Sequence, residues 1–299
     1  MKNTTLLEKK FEQMGAKVEI EELESTRFTS QRNKASPTFD VQTDKKKGEV
    51  FKIRIGKDSP ASIEVIDIQP KDRHMLVLVR QPERVIQLPQ DVHGLLVGDG
   101  PNEHKLPASK SKFLMGHDER HWFVAAVPEE SSASNVQTAK EALQPVEVEE
   151  ALLGQKMKRK DRTKRKNKAF KRQGEWFFIP APKSFIPDED LVLKNEPLSR
   201  GRGSKPHNME WAYRHGGIAV YVNNQHPNGL TQSQFETLPL EQQRGSGVFW
   251  NKMVRNAVVY AKGKISHSDH APLVLDGWHR VVTNTENKAH AMSQVVFLD

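Results

Sequence analysis

The run Ile265-Ser266-His267-Ser268-Asp269-His270, followed a few residues on by Trp278-His279-Arg280, carries the side chains best suited to chemistry. Imidazole titrates near neutral pH, and its neutral form is a common metal ligand. Two imidazoles and a carboxylate can bind Zn, Mn or Fe, and water on such a metal becomes a nucleophile at neutral pH. His267, Asp269 and His279 are the ligand set suggested, which makes a divalent metal the candidate cofactor. Without a metal, a histidine among His267, His270 and His279 could act as general base. Asp269 would orient it and Arg280 would stabilise phosphate charge. An enzyme built this way would be a metal-dependent or His-based nuclease. The spacing matches no zincin or two-Cys zinc pattern. A hydrogen-bonded polar turn beside a packed Trp278 explains the same residues without chemistry.

A second cluster is Gly116-His117-Asp118-Glu119-Arg120-His121. Side chains alternate along a hairpin, so these groups need not converge. If Trp122 and Phe123 are core, His121 lies at the core edge and is the stronger candidate, with His117 and Glu119. A third is Leu198–His207, where glycines between Arg200, Arg202 and Lys205 could let backbone N–H groups face an anion. With His207 and Glu210, this loop could line the same site as the C-terminal cluster. It lacks the Lys-Ser/Thr ending of a phosphate-binding loop, and a plain surface loop is the simpler reading.

The charge of the chain is concentrated in one place. Between residues 156 and 172 stand Lys156, Lys158, Arg159, Lys160, Arg162, Lys164, Arg165, Lys166, Lys168, Lys171 and Arg172, against the single acid Asp161. This segment carries +10 in a chain whose net charge is +8, so the rest is slightly acidic. Lys and Arg neutralise nucleic-acid phosphates and release condensed counterions. Phe170, Trp176, Phe177 and Phe178 lie just beyond and could stack on bases. RNA or DNA is the expected partner. The competing readings are a solvated linker, a clamp for an acidic protein, and a localisation signal, which rarely needs seventeen residues.

The elements that must position these groups follow from periodicity. Leu7, Phe11 and Met14 share one helical face, Thr5 and Glu8 suggest a capping box, and Gly15 a stop, giving a helix over 4–15. Phe39 and Val41, then Phe51, Ile53 and Ile55, alternate about the 45–48 turn as a hairpin. Strands follow at 63–68 and 75–79, the latter apolar throughout and so central. Residues 81–112 read mostly as loop around Leu95–Val97. A last hairpin pairs Phe113–Met115 with His121–Val127. Val136, Ala139 and Leu143 mark a short helix stopped at Pro145. Residues 147–172 read either as one long exposed helix, acidic at its start and basic at its end, or as a disordered linker.

Beyond the basic run, strands are expected at 176–179, 218–222, 258–262, 273–275, 279–282 and 295–298. Helical turns are expected at 231–243, broken at Pro239, and at 249–255. Glu119–Val124 also resembles Gly174–Ile179: each is an acidic turn, then Trp and Phe, then a strand ended by proline. The fold class is α+β, an N-terminal helix on an antiparallel sheet followed by a second, β-rich domain with helical insertions. The boundaries are 1–130, 131–173 and 174–299. Zero Cys excludes disulfides, thiolate catalysis, Cys-zinc sites and iron–sulfur clusters. No run of about 18 apolar residues and no apolar leader is present, so neither a membrane span nor a secretory signal is expected, and the cytoplasm is the default compartment. The functional expectation is a nucleic-acid-binding protein with a possible nuclease centre. The alternative is a non-enzymatic adaptor docking on an acidic protein partner.

Overall fold

A computed structural model describes residues 2–23, 36–46, 48–57, 59–87, 103–199 and 205–290. The chain is mixed and mostly β, with several sheets and few helices. Helix α1 (Lys2–Met14) starts ahead of the expected cap and ends before Gly15, whose φ of +77° suits a residue without a Cβ. Strand β1 (Val18–Leu23) runs parallel to β3 (Gly48–Gly56), which pairs antiparallel with β2 (Thr38–Asp44). Strands β4 (Ser62–Gln69), β5 (His74–Gln81), β8 (Ser109–Asp118) and β9 (His121–Val127) form an antiparallel sheet in the order β4-β5-β8-β9. Within the stretch expected as loop, β6 (Arg84–Gln87) pairs with β7 (Glu103–Leu106). Leu95–Val97 lies outside the described residues.

The apolar run in β5 is buried on both faces. Met75, Val77 and Val79 join α1, Phe39, Phe51 and Phe113 in one core. Leu76 faces the other way, with Leu114 and Ala125, against α2 (Val136–Ala142). Asn135 caps α2: its side chain accepts from the Thr138 N–H at 2.9 Å.

Helix α3 (Val146–Gly154) then ends, about five turns short of the helix expected through residue 172. A like-charge run repels itself in a helix, and here other bonds take over. Strands β10 (Lys171–Gln173), β11 (Trp176–Pro180), β12 (Val192–Leu198), β13 (His207–His215), β17 (Val258–Ser266) and β18 (Leu273–Thr283) form the large antiparallel sheet, ordered β10-β11-β18-β17-β13-β12. The stretches 273–275 and 279–282, expected as two strands, are one. Strand β14 (Ile218–Val222) pairs with β15 (Leu230–Thr231) and β16 (Asn251–Arg255), so 251–255 is strand within the stretch 249–255 where helical turns were expected. Helices α4 (Gln232–Glu236) and α5 (Leu240–Arg244) flank Pro239 as anticipated. The strand expected at 295–298 lies outside the described residues.

The large sheet packs Trp176, Phe178, Met209, Ile265 and Leu275 on one face. Val148 and Leu152 of α3 cover Phe170 and Phe177 on the other. The C-terminal part of the chain then returns to the first core. The Thr285 hydroxyl donates to the Ala142 carbonyl at 2.7 Å, and Ala289 is buried with the α1 cluster. Among the described residues no helix is long and apolar enough to cross a membrane.

Candidate functional site

The basic segment does not continue α3 as one long helix. After α3, residues 159–161 make one tight turn. Asn167 closes the next one: its side-chain oxygen accepts from the N–H groups of Ala169 at 2.8 Å and Phe170 at 2.9 Å. Phe170 packs edge-on against Phe177 at 5.1 Å, which anchors the segment in the core. Gln144 donates to the Arg162 carbonyl at 2.8 Å, and the Thr163 hydroxyl donates to Gln137 at 3.1 Å. Neutral residues thus fix a strap, and the cations project from it.

Five of the eleven cations meet carboxylates. Arg159 faces Glu141 at 3.7 Å, Lys164 faces Asp161 at 2.6 Å, and Lys171 faces Asp276 at 3.0 Å. Arg165 approaches Asp118 at 3.5 Å and pairs with Glu119, while Arg172 pairs with Asp118 at 2.9 Å. Lys156, Lys158, Lys160, Arg162, Lys166 and Lys168 have no carboxylate partner among the described residues. All of these but the half-buried Arg162 are exposed. The aromatic residues expected to stack on bases do not: Phe170, Trp176, Phe177 and Phe178 are all buried. Their hydrophobicity goes into the sheet and not into a ligand surface.

The two hairpins that resemble each other in sequence meet at their tips. Asp118 pairs with His121 across the turn at Glu119, and Gln173 pairs with Trp176 across the turn at Gly174. Glu119 and Gly174 have nearly equal positive φ, +54° and +56°. Between them lies a cavity of about 660 Å³. Its wall holds Lys160, Lys164, Arg165 and Arg172 of the strap, Asp118 and His121 of the first hairpin, and Asp269 and His270 of the C-terminal cluster. Asp40, Asp72, Glu175 and Glu286 also line it, so its interior is balanced in charge and its strap side is cationic. His74 and Lys140 also line it. Burial pushes the His74 imidazole down to about 4 and lowers the Lys140 ammonium.

The C-terminal histidines meet in a different set from the one the spacing suggested. His207, His267 and His270 bring one ring nitrogen each within 4.8 Å of one another. The His207 and His267 rings stack with centroids 4.1 Å apart, and the His267 and His270 rings lie tilted at 4.8 Å. His279 is elsewhere, pairing opposite Ala261 and Pro180, with its Nδ1 on the Gly277 carbonyl at 2.8 Å. Burial lowers its pKa. Arg280 likewise faces away and pairs with Glu147 at 3.0 Å. Asp269 stands beside the cluster: its N–H donates to His267 Nδ1 at 3.1 Å, and its carboxylate pairs with Lys205 at 3.2 Å. Lys205 therefore reaches this site, while Arg200 and Arg202 lie outside the described residues. Glu210 does not join; it accepts the Lys264 N–H at 2.7 Å.

His207 is the member of this imidazole group that local spacing did not place in the ligand set. It is 1% exposed, and neither ring nitrogen has a hydrogen-bond partner among the described residues. Burial and the neighbouring imidazoles push its pKa down to about 3, and burial takes His270 to about 4, so both are neutral at physiological pH. Gln173, fully buried, holds the turn after them through its amide to the Ala271 carbonyl at 2.6 Å. In the first hairpin, His121 Nδ1 contacts Glu49 at 2.6 Å, and His117 stands edge-on to Trp122 at 4.9 Å. Glu119 turns toward the imidazole cluster, with one oxygen 3.8 Å from His270 Nδ1.

Comparison with models of protein families, with curated proteins and with solved structures found no match.

Proposed function

We propose that this chain binds nucleic acid by its phosphate backbone, through the cations of the 156–168 strap. One observation carries the reading: six cations without carboxylate partners stand on a segment that neutral side chains and buried Phe170 hold in place. A backbone already fixed loses less entropy on bringing its cations to phosphates than a flexible tail would. Because the strap aromatics are buried, the reading implies backbone contacts without base readout.

Filter binding of RNA and DNA homopolymers across a salt series tests it. If all six cations contact duplex phosphates, log K against log salt has a slope of roughly −5, and roughly −4 on single strands. Replacing the six by Gln should abolish the slope. Failure to retain either polymer at low salt returns the chain to the adaptor reading, an acidic protein partner.

A second reading, phosphodiester cleavage, is favoured by one further placement. Lys160 and Lys164 share the cavity wall with Asp269 and His270. A backbone held by the strap would bring a phosphodiester toward those groups. End-labelled RNA and DNA, incubated with Zn, Mn or Mg and with chelator as control, test it. Metal-dependent products that disappear in His270→Ala support this reading, and intact substrate under every condition removes it.

A further inference from the structure

We infer that His207, His267 and His270 form a three-imidazole centre for one divalent cation of the zinc class, with its remaining position facing the cavity. This inference stands whether or not the strap binds nucleic acid.

Convergence alone is not the argument. Buried polar atoms are nearly always hydrogen-bonded, because desolvating one without a partner costs stability. His207 is buried with two unpartnered ring nitrogens, and His270 Nδ1 is a third such atom. A packed core would be better served by an apolar side chain at 207. A cation on the Nε2 lone pair of His207 removes part of that penalty, His270 Nδ1 being left to Glu119, and neutral imidazole is the form that ligates.

The space fits as well. A Cβ added at Gly174 would lie 2.8 Å from His270 Nε2 and 3.4 Å from His207 Nε2. The Nε2 atoms of both rings thus face the same space beside a residue that has no side chain. Tetrahedral zinc with nitrogen donors at 2.0–2.1 Å places those donors roughly 3.4 Å apart. The observed spread, 4.8 Å at most, closes with about an ångström of side-chain movement. His267 can supply much of it. Its ring sits in a half-buried turn, and its Nε2 contact with the Lys205 carbonyl is long, 3.3 Å.

Outer support is present too. Ligating histidines usually place their other nitrogen near a carboxylate or carbonyl, which fixes the tautomer and raises basicity. Glu119 stands 3.8 Å from His270 Nδ1, and its carboxylate is held by Arg165 and the Ala271 N–H. The donor set selects the cation. Three imidazoles suit Zn, Co, Ni or Cu, whereas Mg and Ca prefer all-oxygen shells. Three protein ligands leave a fourth tetrahedral position, as in catalytic zinc sites, and His270 lines the cavity.

The test is metal binding by the full chain. Protein without a His tag, stripped with chelator, is titrated with zinc by calorimetry, and separately with cobalt while visible absorption is read. The expected result is one zinc per chain and the intense cobalt bands of a tetrahedral site. His267→Ala and His270→Ala should each lose more than the roughly 10–100-fold that removing an outer hydrogen-bond partner costs a metal site. Glu119→Gln should fall within that range. His207→Ala removes a core side chain and could unfold the chain, so the two turn variants carry the test, with circular dichroism confirming their fold. Zinc affinity unchanged in both folded variants, no stoichiometric binding, or only the weak bands of octahedral cobalt would overturn the inference.

Discussion

Arg172 Nη2 donates to Asp118 Oδ2 at 2.9 Å, joining the two hairpins beside their turns. Both side chains are largely shielded, and Arg165 approaches the same carboxylate from the far side. Arg172→Ala leaves Asp118 partly desolvated with one cation fewer. The expected loss is roughly 1–3 kcal/mol of unfolding free energy, read by urea denaturation. A double-mutant cycle with Asp118→Ala should return a coupling of about 0.5–3 kcal/mol. Additive losses would mean that the contact carries no energy.

Asn167 bears no charge, yet the strap turns on it. Asn167→Ala removes the acceptor for the Ala169 and Phe170 N–H groups. Affinity for nucleic acid should fall although every cation remains, and protease cleavage between 158 and 168 should quicken. Unchanged affinity would show that the cations bind equally well from an unstructured strap.

His74 gives a pH dependence with a defined sign. Its folded pKa, about 4, lies below the unfolded value of roughly 6.5 because burial disfavours the charged ring. Nearby Lys140 and Arg172 act in the same direction, while Asp118 and the Asp72 carbonyl oppose them. Above about pH 6.5 neither state holds the proton, and stability is unaffected. Between about pH 6.5 and 4 only the unfolded chain takes it up, so stability falls with pH. His74→Gln should flatten that part of a urea-midpoint profile; a profile of the same slope would assign the acid sensitivity to other groups.

The cap on α2 is a simple local case. Asn135→Ala deletes the oxygen that accepts from Thr138 and should cost about 1 kcal/mol. The Val136 N–H keeps its bond to Asp67 at 2.8 Å, so the helix should shorten without detaching. A thermal melt that does not move would place the restraint on Asp67 alone.

Periodicity revealed the elements better than the site. The two-faced apolar pattern of β5, the α1 stripe and the alternating hairpin β2–β3 are local signals, and each formed where expected. The partner of His267 is not local. Asn208 pairs with Ser266, which sets His207 beside His267 across sixty residues of sequence. The closer candidate, His279, lies six residues along β18 from Leu273, roughly 20 Å at strand rise. Sequence spacing favoured it because nothing in a single chain announces which strands become neighbours. The strap failed differently. Charge counting described its surface, but Asn167 and Phe170, which decide its path, are two neutral residues among eleven cations.

The return of residues 284–290 to the first core makes the wiring of the molecule redundant. The peptide chain crosses from the α1 core to the large sheet through the strap and crosses back after β18. A single cut in the strap would therefore yield two fragments still interlocked, and the break would be visible only after denaturation.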